Sequence, residues 1–313
     1  MTTVATGPDE RGTRPRSAPP RSVPPRSAPP RRARRRRAAV ALGRLPGTAA
    51  VWLFTGFCLF AFAYLLLSSL KSSRDVLERP WSPPTALHFE NWSTAWNEGG
   101  FGPAFANSAL LVVGAATVTV LVAGPAAYVL GRRPGRVSNG LGLYFVLGLG
   151  IPVQVMVLPL YALMNRIGLI DSLFGLFVLY VVTSLPFTVF LLTAFFASLP
   201  AELEEAAALD GVSAAMTFWR IMLPLARGGL VTATLLNAMG IWNETLLALM
   251  FIQTDDRFTL PLALLNYFQQ QQFTGADYGA LFAGVSISIL PMIALYAWLG
   301  RRLTEGITMG AGK

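Results

Sequence analysis

Apolar positions in this chain come as long unbroken runs rather than as stripes, so the polar interruptions carry most of the information. Six windows, residues 45–70, 101–131, 137–165, 172–199, 228–253 and 278–300, are free or nearly free of charge. Each can cross a hydrocarbon core, which takes about 20 helical residues. The pattern predicts an all-α integral membrane protein with six spans at about 47–70, 104–131, 140–164, 173–197, 229–252 and 278–300. The second window is too long for one upright span and too short for two, with Pro103 near its start and Gly124-Pro125 as the expected kink. The third and fourth are separated only by residues 166–171, which predicts a tight hairpin.

Residues 199–225 interrupt this pattern with helix-forming polar sequence. Pro200 fits a first helical turn, Glu202, Glu204 and Glu205 suit the positive end of a helix dipole, and Gly211 supplies a left-handed stop. Ser213 can cap a second helix through Phe218, Trp219, Ile221 and Met222, with Pro224 expected to limit it. The prediction is helix, glycine turn, helix outside the membrane. Ala206, Ala207 and Ala208 keep the first helix slim enough for another protein's groove, with Leu203 and Leu209 as apolar contacts.

Composition agrees with the class: 53% hydrophobic residues, 13% charged and a mean hydropathy of +0.52 do not suit a soluble protein. Cys58 and His88 are each the single residue of their kind, so neither a disulfide framework nor a zinc or nucleophile–base site can be assembled around them. Residues 1–45 are basic and low in complexity, with a five-residue Arg-Ser-Ala/Val-Pro-Pro unit repeated three times over 16–30 and an Arg cluster after it. The repeat favours extended conformations, and the tail is expected to be disordered. Without interleaved aromatics the cluster reads as a contact with anionic lipid at the cytoplasmic face, and no nucleic-acid partner is expected. The charged stretch is too long for a signal peptide.

Of the 25 Lys and Arg residues, 20 lie in the tail, the 132–136 loop, the 199–227 segment and the C-terminal end, and 5 in the three opposite loops. Both termini and the 199–225 loop are thereby assigned to the cytoplasm. The outer loops at 71–100 and 255–277 are the large ones; the first is expected to be partly structured, and the second holds Gln269, Gln270, Gln271 and Gln272 followed by Phe273, a run that suits solvated filler. Within the spans Glu244 is the lone carboxylate. It falls about 16 residues into its helix, facing either a substrate cavity or a neighbouring helix. Asn237, Gln154 and Asn165 are weaker candidates of the same kind, and Ala280, Gly284 and Ser288 form a stripe suited to helix packing.

Glu205-Ala206-Ala207, Asp210-Gly211, Ile221, Leu223 and Pro224 resemble, in type and spacing, the EAA signature of permease subunits in binding-protein-dependent ABC importers. One departure is visible: Arg227-Gly228-Gly229 stands where the family often has a second proline. Phe105-Ala106-Asn107-Ser108, Trp242-Asn243-Glu244 with Leu246-Leu247-Ala248-Leu249, Thr259-Leu260-Pro261, Leu290-Pro291 and the ending from Gly306 to Lys313 resemble the second permease of maltose-type sugar importers, so the likeness runs from about residue 46 to the end. The resemblance implies a type I importer permease fold in the bacterial plasma membrane. It makes the EAA loop a coupling helix for an ABC ATP-binding subunit dimer. It also implies a heterodimer with a homologous permease, and a periplasmic or lipid-anchored sugar-binding protein outside. On the same basis Trp242, Asn243, Glu244 and Asn237 are substrate-pathway candidates, and Gln269 to Gln272 with Phe273 become candidates for binding-protein docking.

No catalytic residue is expected. ATP and Mg belong to the partner, because Gly312-Lys313 has Ile307 where a phosphate-binding loop needs glycine and lacks the following Ser or Thr. The alternatives are the same architecture carrying glycerol phosphate or another polar solute, which would want an arginine in the pathway, or a membrane sensor or secondary transporter. A sensor or enzyme would need paired acid–base or metal groups. Ion coupling by one buried acid without an inverted repeat has little to work with.

Overall fold

The structure, a computed structural model, describes the backbone of residues 31–311 and the side chains of residues 47–298 except Thr274. It divides into two units, residues 1–59 and 60–313. The first consists of the early part of α1 (Arg31–Ser68), a helix whose side chains from Gly47 to Phe57 are all exposed. Helix from Arg31 onward corrects the expectation of a tail disordered to residue 45: Arg, Ala and Leu are strong helix formers and here follow one another with little interruption. Residues 1–30, including the proline repeat, lie outside the described residues.

The second unit is built of helices joined by turns, and among the described residues four helical segments are long and apolar enough to span a membrane: Gly47–Ser68, Phe101–Arg132, Leu173–Ser198 and Tyr278–Trp298. The two remaining expected spans are broken. The third is α5 (Arg136–Leu149) and α6 (Val153–Arg166), bent by 100° at Gly150-Ile151-Pro152. Proline at the start of α6 has no N–H to continue the α5 ladder, and the preceding residue is pushed out of helical space. The fifth is α11 (Arg227–Trp242), which ends ten residues before the expected span does, after which the short α12 (Leu246–Phe251) begins.

At the centre, α4 (Phe101–Arg132) lies along α7 (Leu173–Ser198). Ala104, Ala115, Ala116, Ala123 and Ala127 of α4 are buried, and a Cβ at Gly131 would stand 2.8 Å from the Thr193 carbonyl, so small residues set the approach of these helices. α4 runs without a break through Pro125. Helix α14 (Tyr278–Ala311) packs through the anticipated stripe: Ala280 is fully buried, and Gly284 faces the Phe101 ring where a Cβ would be 2.9 Å away. The helix continues past Arg301 and Arg302 rather than stopping at them.

The 71–100 loop is ordered, as its length suggested, by α2 (Ser73–Glu78) and α3 (Glu90–Glu98). Lys71 is buried and donates Nζ to the carbonyls of Arg79 and Pro80 at 3.2 and 2.9 Å, while Asn91 bonds the carbonyls of Ser69 and Lys71. The 166–172 turn is fastened by Asp171, whose backbone is left-handed at φ 53°, a conformation Asp tolerates better than most residues. Its carboxylate accepts from the amides of Gln253 and Thr254 at 2.9 and 3.0 Å, from the Thr254 hydroxyl at 2.6 Å and from Arg257 at 2.7 Å. The Thr254 hydroxyl above all, then the Gln253 amide, hold the carboxyl down at about 2. A carboxyl lowered on folding stabilises above its unfolded pKa, near 3.9. Protection of the Gln253 and Thr254 amides from hydrogen exchange should therefore persist at neutral pH and fade as pH drops from about 4 toward 2. Asp171→Asn should remove that dependence; an unchanged acid profile would show that another group governs the turn.

Candidate functional site

The interruption at 199–225 folds as two helical segments around a glycine. Helix α8 (Glu202–Leu209) carries its three glutamates in the first turn and ends in a Schellman motif. The Val212 amide reaches back to the Ala207 carbonyl at 2.9 Å and the Gly211 amide to Ala208 at 3.1 Å, with Gly211 at φ 74°. Ser213 then caps the next segment, its hydroxyl accepting from the Met216 amide at 3.3 Å. That segment runs through α9 (Ala214–Thr217), a π-helical turn at Phe218–Met222 and α10 (Leu223–Leu225). Pro224 does not end it, contrary to the expectation from sequence. The wide turn, in which the Leu223 amide bonds Phe218, absorbs the missing donor and the ring. The break falls at Ala226, where the chain bends by 72° into α11.

The EAA residues divide between outside and inside. Glu205, Ala206, Ala208, Asp210, Gly211 and Pro224 are exposed, and Leu209 is 90% exposed at the tip. Ala207 is buried, Ile221 and Leu223 are half-buried, and Phe218 and Met222 insert among Tyr128, Val189, Leu192 and Phe196. A mostly small, partly apolar ridge thus stands away from a well-packed base.

One guanidinium holds α8 to the spans. Arg132, at the last turn of α4, donates Nε to Glu204 at 2.7 Å, with its Nη2 also 2.7 Å from the same carboxylate. It further bonds the carbonyls of Leu199 at 2.8 Å and Pro200 at 3.2 Å, at the end of α7. Tyr128, one turn earlier, donates its hydroxyl to the other Glu204 oxygen and lies against Phe196 and Phe218. Sequence reading missed this joint. Arg132 registered only as a topological charge and Glu204 only as a dipole partner, because no local spacing links residues 72 apart.

The second cluster lies where α11 stops. Glu244 sits in the three-residue break rather than inside a helix. Its carboxylate accepts from the Leu247 amide at 2.8 Å, the Ala248 amide at 3.2 Å and the Tyr180 hydroxyl at 3.0 Å. Of the two roles open for it, geometry favours the bond to a neighbouring helix, here joined to capping of α12. Trp242 is buried with its indole N–H on the Ser288 carbonyl at 3.0 Å, and Asn237 is buried against Thr188 at 2.9 Å. Asn243 alone among these four is exposed. Gln154 and Asn165 are exposed on α6.

The 255–277 segment is tied to α4: Asn107 bonds the carbonyls of Asp256 and Phe258 at 2.9 and 3.0 Å, and Ser108 accepts from the Leu260 amide at 2.8 Å, the start of α13 (Leu260–Thr274). Gln269, Gln272 and Phe273 are exposed, the last at 89%, and so is Gln270. Gln271 is not available for docking as expected: it is buried, accepting the Asp277 amide at 3.0 Å across the turn into α14. Helical phase turns every third or fourth residue of the run inward.

Residues 120–308 match the model of the binding-protein-dependent transport system inner membrane component. The chain belongs to this family. A diacetylchitobiose uptake system permease protein of Streptomyces coelicolor is 36% identical over 251 residues, 79% of this chain and 82% of that one. A trehalose transport system permease protein of Mycobacterium tuberculosis is 32% identical over 83% of this chain and 94% of its own. A bacterial ABC transporter involved in alginate import shares the fold with a TM-score of 0.72 at 21% identity, covering 84% of this permease and 97% of that chain. The permease is thus an integral membrane transport component.

Proposed function

We propose that this permease forms one half of the translocation pathway of an ATP-driven sugar importer, paired with a homologous permease. The exposed ridge of α8, fixed to α4 and α7 by Arg132, carries the reading: a rigidly mounted ridge of Ala206, Ala208 and Leu209 suits insertion into a groove of an ATPase subunit, one in each half of a dimer. Both termini face the cytoplasm in this reading, in keeping with the Lys and Arg asymmetry. ATP and Mg bind in the ATPase and not here. A periplasmic or lipid-anchored binding protein delivers the sugar at the outer loops, where Gln269, Gln270, Gln272 and Phe273 provide the contact. A disaccharide is the favoured cargo, given the diacetylchitobiose and trehalose permeases among its relatives.

The test is purification of the tagged permease from its own membrane, followed by reconstitution and uptake of labelled diacetylchitobiose and trehalose. An ABC ATPase, a second permease and a sugar-binding protein should co-purify. A chain isolated alone, with no ATP-dependent uptake, would sink the proposal. Glu205→Arg is expected to cut ATPase recovery severalfold while leaving insertion intact, since Glu205 lies exposed beside the ridge. Gly211→Val should cost about 1–2 kcal/mol by forcing a β-branched residue to positive φ. It should lower ATPase recovery with it; full recovery in either variant removes that residue from the coupling assignment.

A further inference from the structure

The break between α11 and α12 opens beside a cavity of about 420 Å³ lined by Asn243, Thr245, Leu264, Phe268 and Ser288 among others. Its volume lies within the range of small-molecule sites, about 300–1,000 Å³. The cluster around the break sorts itself by what each side chain is already bonded to. Glu244 spends both oxygens on α12 and Tyr180, Trp242 spends its N–H on α14, and Asn237 is closed against Thr188. Asn243 spends a single N–H on the Met239 carbonyl at 2.8 Å, leaving Oδ1 and the second N–H for a ligand.

We infer that this groove is a sugar subsite contributed by this permease, with Asn243 as its hydrogen-bonding anchor and Phe268 as its ring platform. The inference rests on the proposed sugar-import function. A pyranose offers two kinds of surface: equatorial hydroxyls, each both donor and acceptor, and an apolar face of axial C–H groups. Asn243 presents the matching donor and acceptor, and Thr245 and Ser288 add hydroxyl-bearing positions to the wall. Phe268 is 48% exposed and lines the cavity from α13 together with Leu264, where an aromatic ring can cover the C–H face. Among the described residues no Lys, Arg, Asp or Glu lines the cavity, so a neutral sugar fits and a phosphorylated solute would lose its hydration without a counter-charge. Glu244 acts here as a positioning residue: by capping α12 it holds the break open at Asn243.

The experiment uses the complete importer in proteoliposomes and the disaccharide that the wild-type complex imports in the uptake assay above. Asn243→Ala should raise KM for uptake about tenfold through the lost hydrogen bonds. Phe268→Ala should do the same, with Phe268→Trp retaining function. ATPase stimulation by loaded binding protein should keep its half-saturation in all three, which separates a pathway contact from a docking or folding defect. In a Cys58→Ala background, Asn243→Cys should react with a small water-borne thiol reagent and be protected by the disaccharide. Unchanged KM in Asn243→Ala with an active wild type overturns the subsite and leaves the importer standing. A thiol at 243 that is unreactive in the assembled complex and cross-links to the second permease assigns the groove to the subunit interface instead. A wild-type complex that imports neither disaccharide removes the parent reading and the subsite with it.

Discussion

Arg132→Ala is expected to reduce ATP-dependent uptake to less than a tenth of wild type while the protein still inserts and can be purified. The Arg132 side chain is only 9% exposed and satisfies one carboxylate and two carbonyls, so its removal leaves Glu204 with the Tyr128 hydroxyl alone and loosens the start of α8 on α4 and α7. Removing one partner of a fully buried pair costs about 3–5 kcal/mol. Glu204 is 24% exposed and can recover some hydration, which brings the figure here to about 2 kcal/mol. That is enough to loosen one joint without unfolding a bundle. Arg132→Lys keeps the charge but loses the fork and should fall between, because one ammonium cannot reach Glu204, Leu199 and Pro200 together. Binding-protein-stimulated ATPase activity should decline along with uptake. Wild-type uptake by Arg132→Ala would mean that packing of Phe218 and Met222 alone mounts the loop.

Glu244→Ala should produce the largest loss of stability among the polar residues at the break. The substitution orphans two amides at the start of α12 and the Tyr180 hydroxyl at once. Hydrogen bonds to a charged group contribute about 1.5–3 kcal/mol each, and the three share one carboxylate, so a total of about 3 kcal/mol is expected. A melting temperature lowered by several degrees, with faster exchange at Leu247 and Ala248, is the signature. Glu244→Gln retains an acceptor and should recover part of the difference. A melting curve that does not move in Glu244→Ala would show that α12 is held by Leu247, Ala248 and Phe251 in the core, not by its cap.

What the sequence discloses and what it hides follow from how far each interaction reaches. The spans at Phe101–Arg132 and Leu173–Ser198, the stop at Gly211 and the cap at Ser213 are legible because they depend on local composition or on neighbours a few residues away. The breaks at 150–152 and 243–245 are not, since each is only three residues long and hydropathy averages Gly150-Ile151-Pro152 and the polar Asn243-Glu244-Thr245 with their apolar neighbours. Gln271 went astray for the related reason that a polar run does not announce which of its members turns inward. The Arg132–Glu204 joint and the Asp171 fastening connect residues 72 to 86 positions apart, where only the fold supplies the adjacency.

The elbow between α5 and α6 bears on what surrounds the protein. Counted as one span, these helices carry a 100° corner at hydrocarbon depth, and α5 has no buried residue to shelter it. Each arm of 14 residues is about 21 Å long, short of a core about 30 Å thick. A helix end leaves its final carbonyls without partners, and acyl chains cannot solvate them. This corner is therefore no lipid-facing surface: in the assembled membrane it has to be wetted by a water-filled lumen or sealed by neighbouring protein, so the annular lipid shell must be interrupted there.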